Sequence, residues 1–177
     1  MSSKTVIKKY LYLNDIVLFI LCITVDRVCK FFAASRLKDR ASVSLIDSFL
    51  ELRYTENTGA AFGVLKDQTS FFVLISVVII FTGLYFLVKS PGKRKYIPTH
   101  IFISLILCGS VGNTVDRIIY GSVIDYIYFS AVDFPIFNIA DIYSTVGTLG
   151  LIIVLVFIFK EDDLNFLRFK EKKIREI

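Results

Sequence analysis

Residues 97–125 read IPTHIFISLILCGSVGNTVDRIIYGSVID. The first two thirds hold an apolar run over 97–115, long enough at about 1.5 Å per residue to cross a hydrocarbon core about 30 Å thick. Asp116 and Arg117 close that run. Gly121 then supplies a turn, and the β-branched stretch 122–129 has the composition of a strand. One segment therefore carries a membrane helix, its polar end and the start of a small sheet. Three further stretches have the same apolar length, 11–34, 70–88 and 139–159. The expected architecture is an all-α membrane protein of four transmembrane helices with a small extracytoplasmic β-sheet and loop region.

Composition agrees with a lipid solvent. The chain has 177 residues, 55% of them hydrophobic, and a mean hydropathy of +0.66, too apolar for a soluble domain of this length. The first run is not followed by a small-x-small cleavage site and reads as a retained span. A net charge of +5 could suggest nucleic acid, but the bases sit at helix ends and form no binding stripe. Lys4, Lys8 and Lys9 precede the first span, Lys89, Lys93, Arg94 and Lys95 fill the link between the second and third, and the basic tail 160–175 follows the fourth. The positive-inside rule puts all of these, and both termini, in the cytoplasm. The loop 35–69 weakens the bias with Arg36, Lys38, Arg40, Arg53 and Lys66, while the loop 116–138 holds only Arg117. Cys22, Cys29 and Cys108 form no C-x-x-C pair and read as small buried hydrophobes, with no disulfide expected.

Nothing repeats and no linker is long enough for a second globular unit, so residues 1–177 read as a single integral membrane domain with a cytoplasmic tail at 160–177. In the loop 35–69, Leu50, Leu52 and Tyr54 alternate with Glu51, Arg53 and Thr55, a half-buried strand pattern. This strand, 122–129 and Phe134-Pro135 are expected to pair above the bilayer. The tail reads as a solvated, partly helical end.

Ionisable groups at membrane depth are costly and are functional candidates by default. Asp26 lies about 22 Å along the first helix from Leu11, near the outer edge of the hydrocarbon core. Asp116, Arg117, Asp125 and Asp141 fall on that same side, with Asn57, Asn113 and Asn138, so the acids are read as converging on the outer leaflet. Each has a plain structural explanation too. Asp26 can pair with Lys30 at i,i+4, Arg117 can snorkel to phosphates, and Asn138 can cap a helix with Asp141 in a capping box. Their gathering at one face is what those explanations leave unaccounted for. His100, the only histidine, falls at the opposite end and reads as an interfacial residue beside the basic link. That placement removes H-E-x-x-H zinc chemistry and a Ser-His arrangement at the outer face. For hydrolysis there remains a pair of carboxylates, one activating water and one protonating the carbonyl oxygen.

Four motifs together resemble lipoprotein signal peptidase, the family also called signal peptidase II. They are Asp26-x-x-x-Lys30, Asn57-Thr58-Gly59-Ala60-Ala61-Phe62-Gly63, Gly112-Asn113-x-x-Asp116-Arg117 followed by Gly121-x-Val123-x-Asp125, and Phe137-Asn138-x-Ala140-Asp141. The resemblance implies that Asp125 and Asp141 form a catalytic dyad, with Asp26, Lys30, Asn57, Gly59, Asn113, Asp116, Arg117, Asn138 and Ala140 at supporting or substrate-binding positions. It also implies a bacterial inner-membrane enzyme that cuts diacylglyceryl-modified prolipoproteins on the amino side of the lipidated cysteine, and that globomycin-type cyclic peptides inhibit. No metal or cofactor is expected, nor nucleic acid; the partners are substrate and membrane lipid, and the chain is expected to act as a monomer. Departures are Tyr126 in place of Phe, Ile142 in place of a small polar residue, and the absence of Trp; the bulk of Ile142 and Tyr143 leaves the pocket shape open. Gly59 and Gly63 would let the loop approach substrate, and that loop is expected to serve as a lid.

The fourth helix adds a division of roles. Asp141, at its third position, should ionise more readily in the field of the helix N-terminus, leaving the shared proton on Asp125. Removing the Asn138 cap is then expected to raise the acidic limb through Asp141. A proton or ion carrier is the main rival, and the nearly pure Leu, Ile, Val and Phe composition read for the inner halves of the spans counts against it.

Overall fold

The computed structural model describes residues 3–59 and 67–167. The first helix, α1 (Ser3–Leu37), is followed by the strands β1 (Val43–Ile46) and β2 (Leu50–Asn57). Next come α2 (Thr69–Lys89), α3 (Ile97–Tyr120), β3 (Val123–Tyr128) and α4 (Ile139–Ile153), the last continuing as π-helical turns over Val154–Ile158. The helices overrun the expected spans: α1 starts at Ser3 and ends at Leu37, and α3 carries Asp116 and Arg117 inside its last turns, not in a loop. Gly121 ends α3 at φ 73°, the left-handed conformation that a C-terminal glycine adopts without a Cβ penalty.

Among the described residues, three helices are long and apolar enough to cross a membrane, Thr69–Lys89, Arg94–Tyr120 and Ile139–Ile158. The expectation of four is not met on that criterion, because Asp15, Asp26, Arg27 and Lys30 interrupt the apolar character of α1. Those charges are not left to lipid. Asp26, Arg27 and Lys30 pair with one another and with Asp116 of α3, and Asp15 pairs with His100.

Helix α3 is central, touching α1, α2 and α4. Its contact with α4 depends on small residues, as membrane helix packing generally does. A Cβ on Gly109 would collide with Ser144 and the Ala140 carbonyl oxygen, and one on Gly147 would lie 2.7 Å from the Phe102 carbonyl oxygen. Neither backbone can yield without separating the helices. Gly109→Ala is therefore expected to destabilise the protein by about 1–3 kcal/mol, measurable as earlier thermal unfolding in detergent. An unchanged unfolding midpoint would contradict this packing.

The sheet has the order β1-β2-β3, all antiparallel. The expected pairing of the Leu50 strand with residues 122–129 is present, with Thr55 opposite Asp125 and Asn57 opposite Val123. Phe137, two residues after Pro135, bridges to Ile127. The edge strand β1 was not anticipated; all four of its residues are exposed, so it carries no alternation to read. At the opposite end of the bundle, Glu161–Leu167 of the expected solvated tail forms 3-10 turns that dock, while 168–177 lie outside the described residues. Lys95 Nζ lies 2.5 Å from Asp163, Tyr96 Oη donates to the Asp163 carbonyl, and Phe166 packs edge-on against Phe86 and Tyr96. The Lys95 ammonium holds the Asp163 carboxyl below the usual carboxylate range.

That end also corrects the placement of acids. Asp15 lies there, far from the sheet, so the acids do not all converge on one face. Its carboxylate oxygens lie 2.7 Å from His100 Nδ1 and 3.2 Å from Ser104 Oγ, while His100 Nε2 lies 2.6 Å from Ser90 Oγ. His100 is thus buried among the helices at this end of the bundle. The connectivity is that of a Ser-His-Asp triad, but Ser90 is 1% exposed and donates to the Leu87 carbonyl. It works as a polar clamp joining α1, the end of α2 and α3, and the cavity beside it is lined by Asp15 and His100 but not by Ser90.

Candidate active site

Two strands and two helix ends bring Asp125 and Asp141 to one cavity. Asp125 lies in β3, and Asn57 of β2, diagonal to it across the ladder, is placed on the same face. Hydrogen bonds from the Tyr126 and Ile127 amides to the Phe137 carbonyl hold the next segment alongside β3, which sets Asn138 against Asp125. There Asn138 begins α4. The capping box is complete: Asn138 Oδ1 accepts from the Asp141 amide at 3.1 Å, and Asp141 Oδ2 accepts from the Asn138 amide at 3.0 Å.

Every carboxylate oxygen of the two acids receives a donor. Asp125 accepts from Asn138 Nδ2 at 2.6 Å and from Asn57 Nδ2 at 2.9 Å, and Asp141 Oδ1 accepts from Asn113 Nδ2 at 2.7 Å. Burial, and then the neighbouring charge of Asp141, push Asp125 up to about 7 despite its two amide donors. It is thereby able to carry a proton at neutral pH.

The cavity in front of them measures about 440 Å³ and opens to the surroundings. Asn57, Gly59, Asn113 and Arg117 share its wall with the two acids, and Phe134, Ile136, Phe137, Ile142 and Val146 make it largely apolar. Ile142, the departure noted in the sequence, is one of these lining residues. The Arg117 guanidinium stacks 4.9 Å over Phe72, and its buried Nε has no hydrogen-bond partner among the described residues. Beyond Gly59, residues 60–63 of the expected lid lie outside the described residues.

The other sequence candidates stand behind this wall. Asp26 and Asp116, both fully buried, hold Lys30 Nζ at 3.2 and 2.7 Å. Ala140 is also fully buried and fits against Gly112 of α3, where a larger side chain would not. The sequence reading missed Arg27, which bonds Asp26, Asp116 and the Gly112 carbonyl. Its signal was available: it follows Asp26 directly and lies at membrane depth.

A family model described as signal peptidase (SPase) II matches residues 18–157, most of the chain and the whole of this site. The chain belongs to the signal peptidase II family. It is a membrane-protein peptidase by that membership. A lipoprotein signal peptidase of Clostridium tetani (strain Massachusetts / E88) is 40% identical over 151 residues, covering 84% of this chain and 94% of the relative. One of Staphylococcus aureus is 35% identical over the same length, covering 84% and 91%. Among solved structures, a bacterial membrane enzyme determined by the in meso method at 2.3 Å superposes with a TM-score of 0.74 at 32% identity, covering 90% of this chain and 94% of that one. A second, at 1.9 Å, gives 0.73 at 33% identity, covering 82% and 94%. The signal peptidase II fold thus extends from α1 through α4, and all four sequence motifs fall within the matched residues.

Proposed function

We propose that this protein is an intramembrane aspartic endopeptidase that removes the signal peptide from diacylglyceryl-modified prolipoproteins, cutting on the amino side of the lipidated cysteine. The observation that carries this reading is the pair Asp125 and Asp141 facing one largely apolar cavity, with each carboxylate oxygen held by an N–H donor. The relatives named lipoprotein signal peptidase supply the substrate class.

In this mechanism Asp141 takes a proton from water, which adds to the scissile carbonyl carbon, while protonated Asp125 gives its proton to the carbonyl oxygen. Collapse of the tetrahedral intermediate returns the proton from that oxygen to Asp125. The C–N bond breaks as the proton held by Asp141 passes to the amine of the departing lipidated cysteine. Arg117 lines the same cavity and brings its guanidinium within reach of substrate carbonyls, and the apolar wall from Phe134 to Val146 suits acyl chains.

The chain is proposed to be a single integral membrane domain in the bacterial cytoplasmic membrane. Helix α1 is its fourth span, with its charges internally paired, and both termini are cytoplasmic with the sheet outside. Acyl chains would then hold the scissile bond at the membrane surface, at the depth of the two acids. The purified protein is expected to shorten a diacylglyceryl-modified substrate, to leave the unmodified one intact, and to be suppressed by globomycin. EDTA is expected to leave cleavage unchanged, since the site offers carboxylates and amides but no His or Cys. Equal cleavage of both substrates would defeat the lipid-specific reading, and loss on chelation restored by a divalent ion would make the acids ligands.

A further inference from the structure

Three asparagine amides surround the two acids, and each has its orientation fixed by a donor on its far side. Asn57 Oδ1 accepts from the Gly59 amide at 2.9 Å, so its Nδ2 must face Asp125. Asn138 Oδ1 accepts from the Asp141 amide, so its Nδ2 also faces Asp125. Asn113 Oδ1 accepts from Lys30 Nζ at 2.9 Å, which turns its Nδ2 to Asp141. An ammonium can only donate, so the atom beside it must be the amide oxygen. Backbone N–H groups fix the first two amides. The third is fixed by side chains alone, Lys30 of α1 at 2.9 Å and, at a longer 3.2 Å, Asn138 Nδ2.

We propose that Lys30 is a positioning residue of the peptidase: held by Asp26 and Asp116, it fixes the amide of Asn113 so that Nδ2 donates to Asp141. The inference rests on the reading of Asp125 and Asp141 as the reacting pair. Without Lys30 the amide oxygen keeps only the longer contact from Asn138 Nδ2 at 3.2 Å, and the Nδ2 donor to Asp141 is held less firmly. The acids around Lys30 serve the same end. Lys30 is 2% exposed, and two fully buried carboxylates hold its Nζ aimed at Asn113. Arg27, bonded to both acids and the Gly112 carbonyl, fixes them in turn. The chain of contacts runs from α1 through α3 to the first turn of α4, and nothing in it touches the cavity until Asn113.

A double-mutant cycle separates this role from a merely structural one. Lys30→Met and Asn113→Ala are each expected to lower kcat about 10–100-fold, the value of a hydrogen bond to a charged group, with KM little changed. If Lys30 acts through Asn113, the double variant is no slower than Asn113→Ala alone, to within about twofold. Multiplicative losses, or a fully active Lys30→Met, would overturn the proposal. Rates are normalised to folded protein. Should Lys30→Met leave Asp26 and Asp116 too poorly compensated to fold, the same cycle is run in an Asp116→Asn background, which removes one buried charge of each sign. Asp141→Asn is assayed first. Full activity there would overturn the dyad reading and this inference with it, whereas inactivity there with a multiplicative cycle overturns this inference alone.

Discussion

Asp125→Asn and Asp141→Asn are each expected to reduce cleavage by about 10²–10⁴-fold or more while leaving the protein folded. Asn keeps the size of Asp but can neither take a proton from water nor give one to a carbonyl oxygen. The two acids are also poor candidates for purely structural work. Asp141 does cap α4, but a lost box carboxylate affects folding by only about 1 kcal/mol, far short of the expected catalytic loss. Asp125, pushed up to about 7 by burial, gains nothing for the fold by being a carboxylate. Unfolding in detergent together with turnover distinguishes the cases. Near-normal turnover in either folded variant would remove that residue from the mechanism.

Asn138→Ala is expected to have the next largest effect, through two separate losses. The side chain caps the Asp141 amide, and replacement by Ala costs about 0.5–2 kcal/mol of stability. The same amide donates to Asp125 at 2.6 Å, and without it the charged form of Asp125 is less favoured. Asp125 then moves further up from about 7, and the fall of kcat/KM on the alkaline side is expected at higher pH. Turnover is expected to drop about 10-fold or more as the acid loses a positioning contact. The structure redirects the expectation drawn from sequence, that this variant would act on the acidic limb through Asp141. The Asp141 carboxylate is held by the backbone amide of Asn138, which Ala keeps. An alkaline limb that stays in place or moves down would contradict the Asn138–Asp125 contact as a determinant of the proton.

What could be read in advance follows from how each feature is encoded. Helices α2, α3 and α4 are written in runs of about 20 apolar residues, and the β2–β3 pair in alternation, so both were legible. The capping box was legible because it is local, three residues apart. Contacts across long separations were not. Asp15 and His100 are 85 positions apart, and nothing near either residue signals the other. The role of Lys30 was half visible: the i,i+4 spacing to Asp26 is present, but the shorter contacts to Asp116 and Asn113 belong to the α1–α3 packing. Strand β1 had no pattern because neither of its faces is buried.

The pH profile of kcat/KM on a diacylglyceryl-modified substrate tests most directly whether two carboxylates do the work. The free enzyme needs Asp125 protonated and Asp141 ionised, so a bell is expected, falling on the acidic side as Asp141 takes up a proton and on the alkaline side as Asp125 loses its own near pH 7. A rate that kept rising through pH 9 would contradict the account, since no carboxylate acid would then be required.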